Sequence, residues 1–219
     1  MTETRVAPSP SSLDEESLRR YLGSQQGTEH CTAYIQELQR LLGLEKTSIS
    51  RSEHPFSHGA AIDDVGAWVV HKDLALTPQL ALERMLRALR AANFPVINNL
   101  EGEVCYVGDG TVSAAIPGLV RFQAMSFTMG HMSLGADPNR VMSNSRKKCL
   151  GPIELLCILF TKKELRNYVF GMDCPEYSVG DNAEIMPALR FQEDRLVLDG
   201  RERISDASYG VPYGYRHAV

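Results

Sequence analysis

Ile153-Glu154-Leu155-Leu156-Cys157-Ile158-Leu159-Phe160 is a short, nearly continuous apolar run. Its periodicity does not separate a buried strand from the first part of a buried helix. Either way it belongs to a core. On its N-terminal side lies the stretch around which the chain is organised, Gly130-His131-Met132-Ser133-Leu134-Gly135-Ala136-Asp137-Pro138-Asn139-Arg140, continuing to Gly151. That stretch fits neither a clean helix nor a clean strand. A long polar connection between apolar segments marks a functional or unstructured loop.

Past the apolar run, Thr161 with Glu164 three residues on predicts a capped helix ending at Gly171. Ala188 to Phe191 and Leu196 to Leu198 read as strands around Gln192-Glu193-Asp194. Asp199-Gly200 reads as a further turn before Arg201 to Ile204. The tail from Tyr209 to Tyr215 is rich in tyrosine and glycine, suited to lining a pocket or tying down an end strand.

Upstream, Val120 to Thr128 has strand character, and Glu103 to Val107 and Thr111 to Ile116 flank a Gly108-Asp109-Gly110 hairpin turn. Val96-Ile97 precede Asn98-Asn99. Thr77-Pro78 opens a helix with a buried stripe of Leu82, Met85, Leu86 and Leu89, an outer Arg84, Arg87 and Arg90, and a Glu83–Arg87 pair. It should stop by Asn93, because Phe94 precedes Pro95. Gly66 to His71 reads as a strand. Before it, residues 45–64 form a loop, and residues 12–43 a helical hairpin with Cys31, Tyr34, Ile35, Leu38, Leu41 and Leu42 on one face. Residues 1–11 are Pro/Ser-rich and expected to be disordered. The order of elements predicts a single α+β domain over 12–219. Its sheet should be largely antiparallel, with helices on one face and the hairpin packed on it or on a second copy in a homodimer.

Apolar content of 43% and charged content of 23% suit a globular protein that buries a core without disulfides. A net charge of -4 and a pI near 5.9 weigh against general nucleic-acid binding. Five cysteines without CxxC spacing suggest free thiols in a reducing compartment. No apolar leader and no run of about 18 apolar residues is present. The expected location is therefore cytoplasmic, with no membrane partner.

Chemistry concentrates in the central stretch. Arg140, Arg146, Lys147 and Lys148 stand among Ser133, Asn139, Ser143, Asn144 and Ser145. Guanidinium forks and small polar side chains make anion cages, so Arg140, Ser143, Asn144, Arg146 and Lys148 are the expected substrate-binding set. His131 opens the stretch and is the expected acid/base group, with His58 or His71 as a second proton carrier. His54 and His58, beside Glu53, have H-x-x-x-H spacing. They are candidate ligands for a divalent metal, as is His71, and Pro55 and Gly59 weaken the helix that the His54–His58 spacing needs. Cys149 follows three cations that would lower a thiol pKa, although a small apolar role is the better reading. Glu101 and Glu103 could act as a base at a strand end, and solvated loop carboxylates are the commoner case. These residues predict a small enzyme acting on a carboxylate or phosphate compound, its reaction class being lyase, isomerase or hydrolase. The alternative is a non-catalytic module that binds a small ligand or a protein through the same loop.

Overall fold

The computed structural model of the chain describes residues 33, 36–42, 64–69, 77–107, 122–143, 147–161 and 170–215. Its pivot is the helix α3, Pro152–Thr161, formed by the apolar run. All ten of its residues are buried. The helix lies between two sheets, touching strand β1, Asp64–Val69, of one and strand β8, Ile185–Gln192, of the other. A helix satisfies its own backbone where no strand is available to pair with. Local side-chain hydrogen bonds brace it. Gly151 N–H donates to Glu154 Oε2 at 3.1 Å, and Thr161 Oγ1 donates to the Cys157 and Ile158 carbonyls at 3.0 and 3.2 Å. Thr161, expected as the cap of a following helix, is itself helical within α3. Periodicity was mute here because the helix is apolar on every side, apart from that one carboxylate.

Helix α1, Pro78–Ala91, packs beside α3 with Ala81, Leu82, Met85, Leu86 and Leu89 buried, as its stripe predicts. Thr77 Oγ1 accepts from Leu80 N–H at 3.3 Å. Asn93 takes the left-handed conformation, and the Asn93 and Phe94 amides donate back to Arg90 and Leu89, which ends the helix as a Schellman cap. The side chain that meets Glu83 is Gln79, at 2.8 Å. Residues 36–42 are helical, and Leu38 and Leu42 lie in the same core. The rest of the expected hairpin, the 108–116 turn and strand, and the helix expected after Thr161 lie outside the described residues.

The five-stranded sheet has the order β10-β6-β8-β9-β2. These strands are Tyr209–Gly210, Gly171–Asp173, Ile185–Gln192, Arg195–Glu202 and Val96–Asn98. The β8–β9 hairpin turns on Glu193 and Asp194, both at positive φ, so its two-residue loop twists with the strands. Asp199-Gly200 is no turn; it lies within β9. The β10–β6 and β2–β9 pairs are parallel, so the sheet is mixed. A second sheet runs β1-β4-β11-β5, with β4 at Phe122–Thr128, β5 at Lys147–Cys149 and β11 at Tyr213–Tyr215. The strand expected at Gly66 to His71 is described over Asp64–Val69, and Val70 and His71 lie outside the described residues. Strands β3, Val104–Tyr106, and β7, Tyr177–Val179, pair separately. The architecture is α+β, with α3 between the two larger sheets and not confined to one face. Among the described residues no helix is long and apolar enough to cross a membrane.

Candidate functional site

Register assigns the faces of the five-stranded sheet. Met172, Leu189 and Leu198 are opposite one another and, with Leu196, lie in the core. One residue along, Asp173, Ala188 and Asp199 form a row on the other face, and Arg201 follows on the same side of β9. That face carries a network of charges. Arg201 Nη1 donates to Asp173 Oδ1 and Oδ2 at 2.8 and 2.7 Å, and Nη2 to Asp206 Oδ2 at 3.3 Å. Arg190 Nε meets Asp199 Oδ2 at 3.2 Å, and Asn99 Nδ2 donates to Asp199 Oδ1 at 2.8 Å. The Tyr209 ring lies across Gly171, where a Cβ would clash with the ring, and Arg201 sits 4.1 Å from the ring centroid.

Burial and partners set the titration of these groups. Burial pushes the Asp173 carboxyl up to about 6, against the lowering effect of Arg201. The Ser208 hydroxyl and amide hold Asp206 below the usual carboxylate range. Burial raises the Tyr209 phenol. Next to this network is a cavity of about 550 Å³, lined by Asn99, Glu101, Asp199, Arg201 and Tyr209, with the backbones of Gly102, Gly180 and Gly200. Such a volume suits a small ligand.

Glu101 and Tyr209, both singled out in the sequence, line this cavity, but the expected acid/base and substrate-binding residues that are described lie elsewhere. Gly130 leaves β4 at φ 98°, which suits glycine, and His131 opens a 3-10 turn, His131–Ser133, half exposed. Ser133 is buried: its hydroxyl donates to the Gly130 carbonyl at 2.9 Å and accepts from Val211 N–H at 2.9 Å. The loop's entrance is thus tied to the C-terminal strands. The short helix α2, Pro138–Met142, capped by the Asp137 carboxylate, carries an exposed Arg140. Ser143 Oγ donates back to the Arg140 carbonyl at 2.8 Å. Lys148 is half buried on β5, against which α2 packs. The central stretch is therefore three short elements and not one irregular loop. Asn144, Arg146, His54, His58 and His71 lie outside the described residues. None of the described members of the expected set lines the cavity.

Cys149 is fully buried and its Sγ donates to the Leu150 carbonyl at 3.2 Å. Burial raises its thiol well above the ordinary value, against the lowering effect of a hydrogen bond with the Glu176 backbone, while the charges of Glu176, Glu154 and Asp173 push it up. It is a core residue, because cations near in sequence count for nothing once the side chain points inward. Among the described residues no three His, Cys, Asp or Glu side chains converge as metal ligands.

Sequence reasoning missed Asp173, Asp199 and Arg201 as a group. The usable signal was the alternation Val197-Asp199-Arg201 on one strand, hidden by reading Asp199-Gly200 as a turn. Tyr209 was recognised as a pocket candidate. No family model matches the chain, and no curated protein or solved structure is significantly similar to it.

Proposed function

We propose that the chain is a small-ligand-binding protein whose ligand occupies the cavity beside β9. One observation carries this reading: Asn99, Glu101, Asp199, Arg201 and Tyr209 converge on a space of about 550 Å³. Asn99, Asp199, Arg201 and Tyr209 are held in place by ion pairs, hydrogen bonds and a ring contact, so little ordering of these side chains is needed on binding. A fragment screen by amide chemical-shift mapping tests it. Ligands should shift Gly180, Gly200 and Arg201 together; a screen that leaves all three unmoved removes the reading.

A second reading is the acid/base enzyme acting on an anionic carboxylate or phosphate compound. It is favoured by the left-handed exit at Gly130, which leaves His131 half exposed, and by the exposed Arg140 on a helix that packs near Lys148. In it His131 is the acid/base group, His58 or His71 carries a second proton, and Arg140, Ser143, Asn144, Arg146 and Lys148 hold the anion. Met132 and Leu134 on the same stretch are 64% and 42% exposed, which suits a partner-binding loop at least as well. His131→Gln tests the enzyme: an activity on such a compound should vanish with little change in melting temperature. A variant that melts far lower yet keeps the activity would make His131 structural.

A further inference from the structure

We infer that the cavity takes a short, extended, cationic peptide segment, laid along the edge of β9 that no described strand pairs with beyond β2, with a lysine-type ammonium directed to Glu101 and Asp199. The inference rests on the reading of the cavity as a ligand site.

The edge follows from the hydrogen-bond pattern. Leu196 N–H donates to the Pro95 carbonyl, and Asn99 N–H to the Leu198 carbonyl. Even-numbered residues of β9 therefore turn their backbone groups toward β2, and odd-numbered ones toward β8. Strand β2 ends at Asn98, whose Oδ1 accepts from Leu100 N–H at 3.3 Å and bends the chain away. The next even residue, Gly200, thus presents its N–H and C=O on the side β2 has left. Gly200 is exposed, and among the described residues no strand pairs with it there. Uncovered strand edges accept extended peptides through the main chain.

The groove has room for one. Its walls at Gly102, Gly180 and Gly200 have no side chains. The first two are so close that a Cβ on Gly102 would lie 2.9 Å from Gly180 N. A space of about 550 Å³ is in the range of small-ligand pockets, enough for a few residues.

Charge selects the segment. The network pairs Asp173, Asp199 and Asp206 with Arg190 and Arg201, and Glu101 lines the cavity beside it, so these six groups carry an excess of two negative charges. Arg201, the cation that lines the cavity, is engaged by Asp173 and Asp206 and stacks on Tyr209, so it offers little to an anion. The Asp199 carboxylate is fixed by Asn99 and Arg190 and remains 24% exposed. Glu101 is exposed and makes no hydrogen bond among the described residues. A cation entering here meets the Asp199 carboxylate already in position, with Glu101 beside it.

Titration of the labelled protein with acetyl-Gly-Lys-Gly-amide, its norleucine and glutamate counterparts, and n-butylammonium tests this, read by amide shifts. The lysine peptide should move Gly180, Gly200 and Arg201, and bind about tenfold tighter than the other two peptides and n-butylammonium. Glu101→Gln and Asp199→Asn should each weaken it by about fivefold. The first has no structural bond to lose, so it remains informative if the second disturbs the fold. Equal or tighter binding of the glutamate or norleucine peptide overturns the charge selection. Equal binding of n-butylammonium overturns the strand-edge component. If no probe moves these amides, the inference fails. The cavity reading then stands if other fragments shift them and falls with it if none does.

Discussion

Tyr209 occupies the space in which a side chain at Gly171 would stand. The two residues are register partners in parallel strands, and a Cβ on Gly171 would clash with the carbons of the tyrosine ring. The ring in turn supports Arg201 at 4.1 Å. A missing side chain on β6 thus sets the position of the guanidinium that lines the cavity. Gly171→Ala should displace Tyr209, loosen Arg201 and lower stability by about 1–3 kcal/mol, the usual range for overpacking. Urea denaturation and the amide shifts of Arg201 would check it; an unchanged Arg201 environment would mean the ring is not its support.

Asp173 gives the fold a pH dependence of defined sign. Its folded-state pKa of about 6 lies above the ordinary value of 3.8, so the folded chain binds this proton more tightly than the unfolded chain. The contribution is fully present below the lower value and is lost as pH rises through 6. From pH 4 to pH 6.5 the loss should be on the order of 2 kcal/mol. Denaturation midpoints across that interval, compared with Asp173→Asn, would reveal it. A wild-type profile parallel to that of the variant would show that Arg201 offsets the burial cost entirely.

Gly151 faces a second such contact. A Cβ there would collide with the ring and hydroxyl of Tyr177, which is fully buried. Gly151 also donates its amide to Glu154 at the start of α3. Gly151→Ala should destabilise by roughly 2–3 kcal/mol, more than an exposed Gly→Ala change. Combining it with Tyr177→Leu should recover part of the loss. Strict additivity of the two would mean they do not meet.

Leu38 is fully buried in the chain's own core. Leu38→Glu should therefore unfold or severely destabilise the monomer, by about 3 kcal/mol or more, because a charge is placed where no partner waits. Sedimentation and thermal melting separate this from a role in self-association. A variant that melts normally but sediments differently would return Leu38 to a contact between copies.

The sequence alone determined what local rules govern. The span and buried stripe of α1, its Thr77 cap and its end before Pro95 are all consequences of spacing and backbone stereochemistry, which act within a few residues. Tertiary structure decided the rest. The apolar run at 153–160 is a helix because it lies between two sheets, a position no periodicity encodes. Strand β11 sits between β4 and β5, pairing residues far apart in sequence. The cavity draws on Asn99, Glu101, Asp199, Arg201 and Tyr209, brought together by parallel and antiparallel pairings of distant strands. Clustering along the chain pointed instead to Arg140 and Lys148, because neighbours in sequence are visible there and neighbours across a sheet are not. The balance between Asp173 and Arg201 depends on how much water is excluded around them, which is a property of the packed molecule and not of any segment of it.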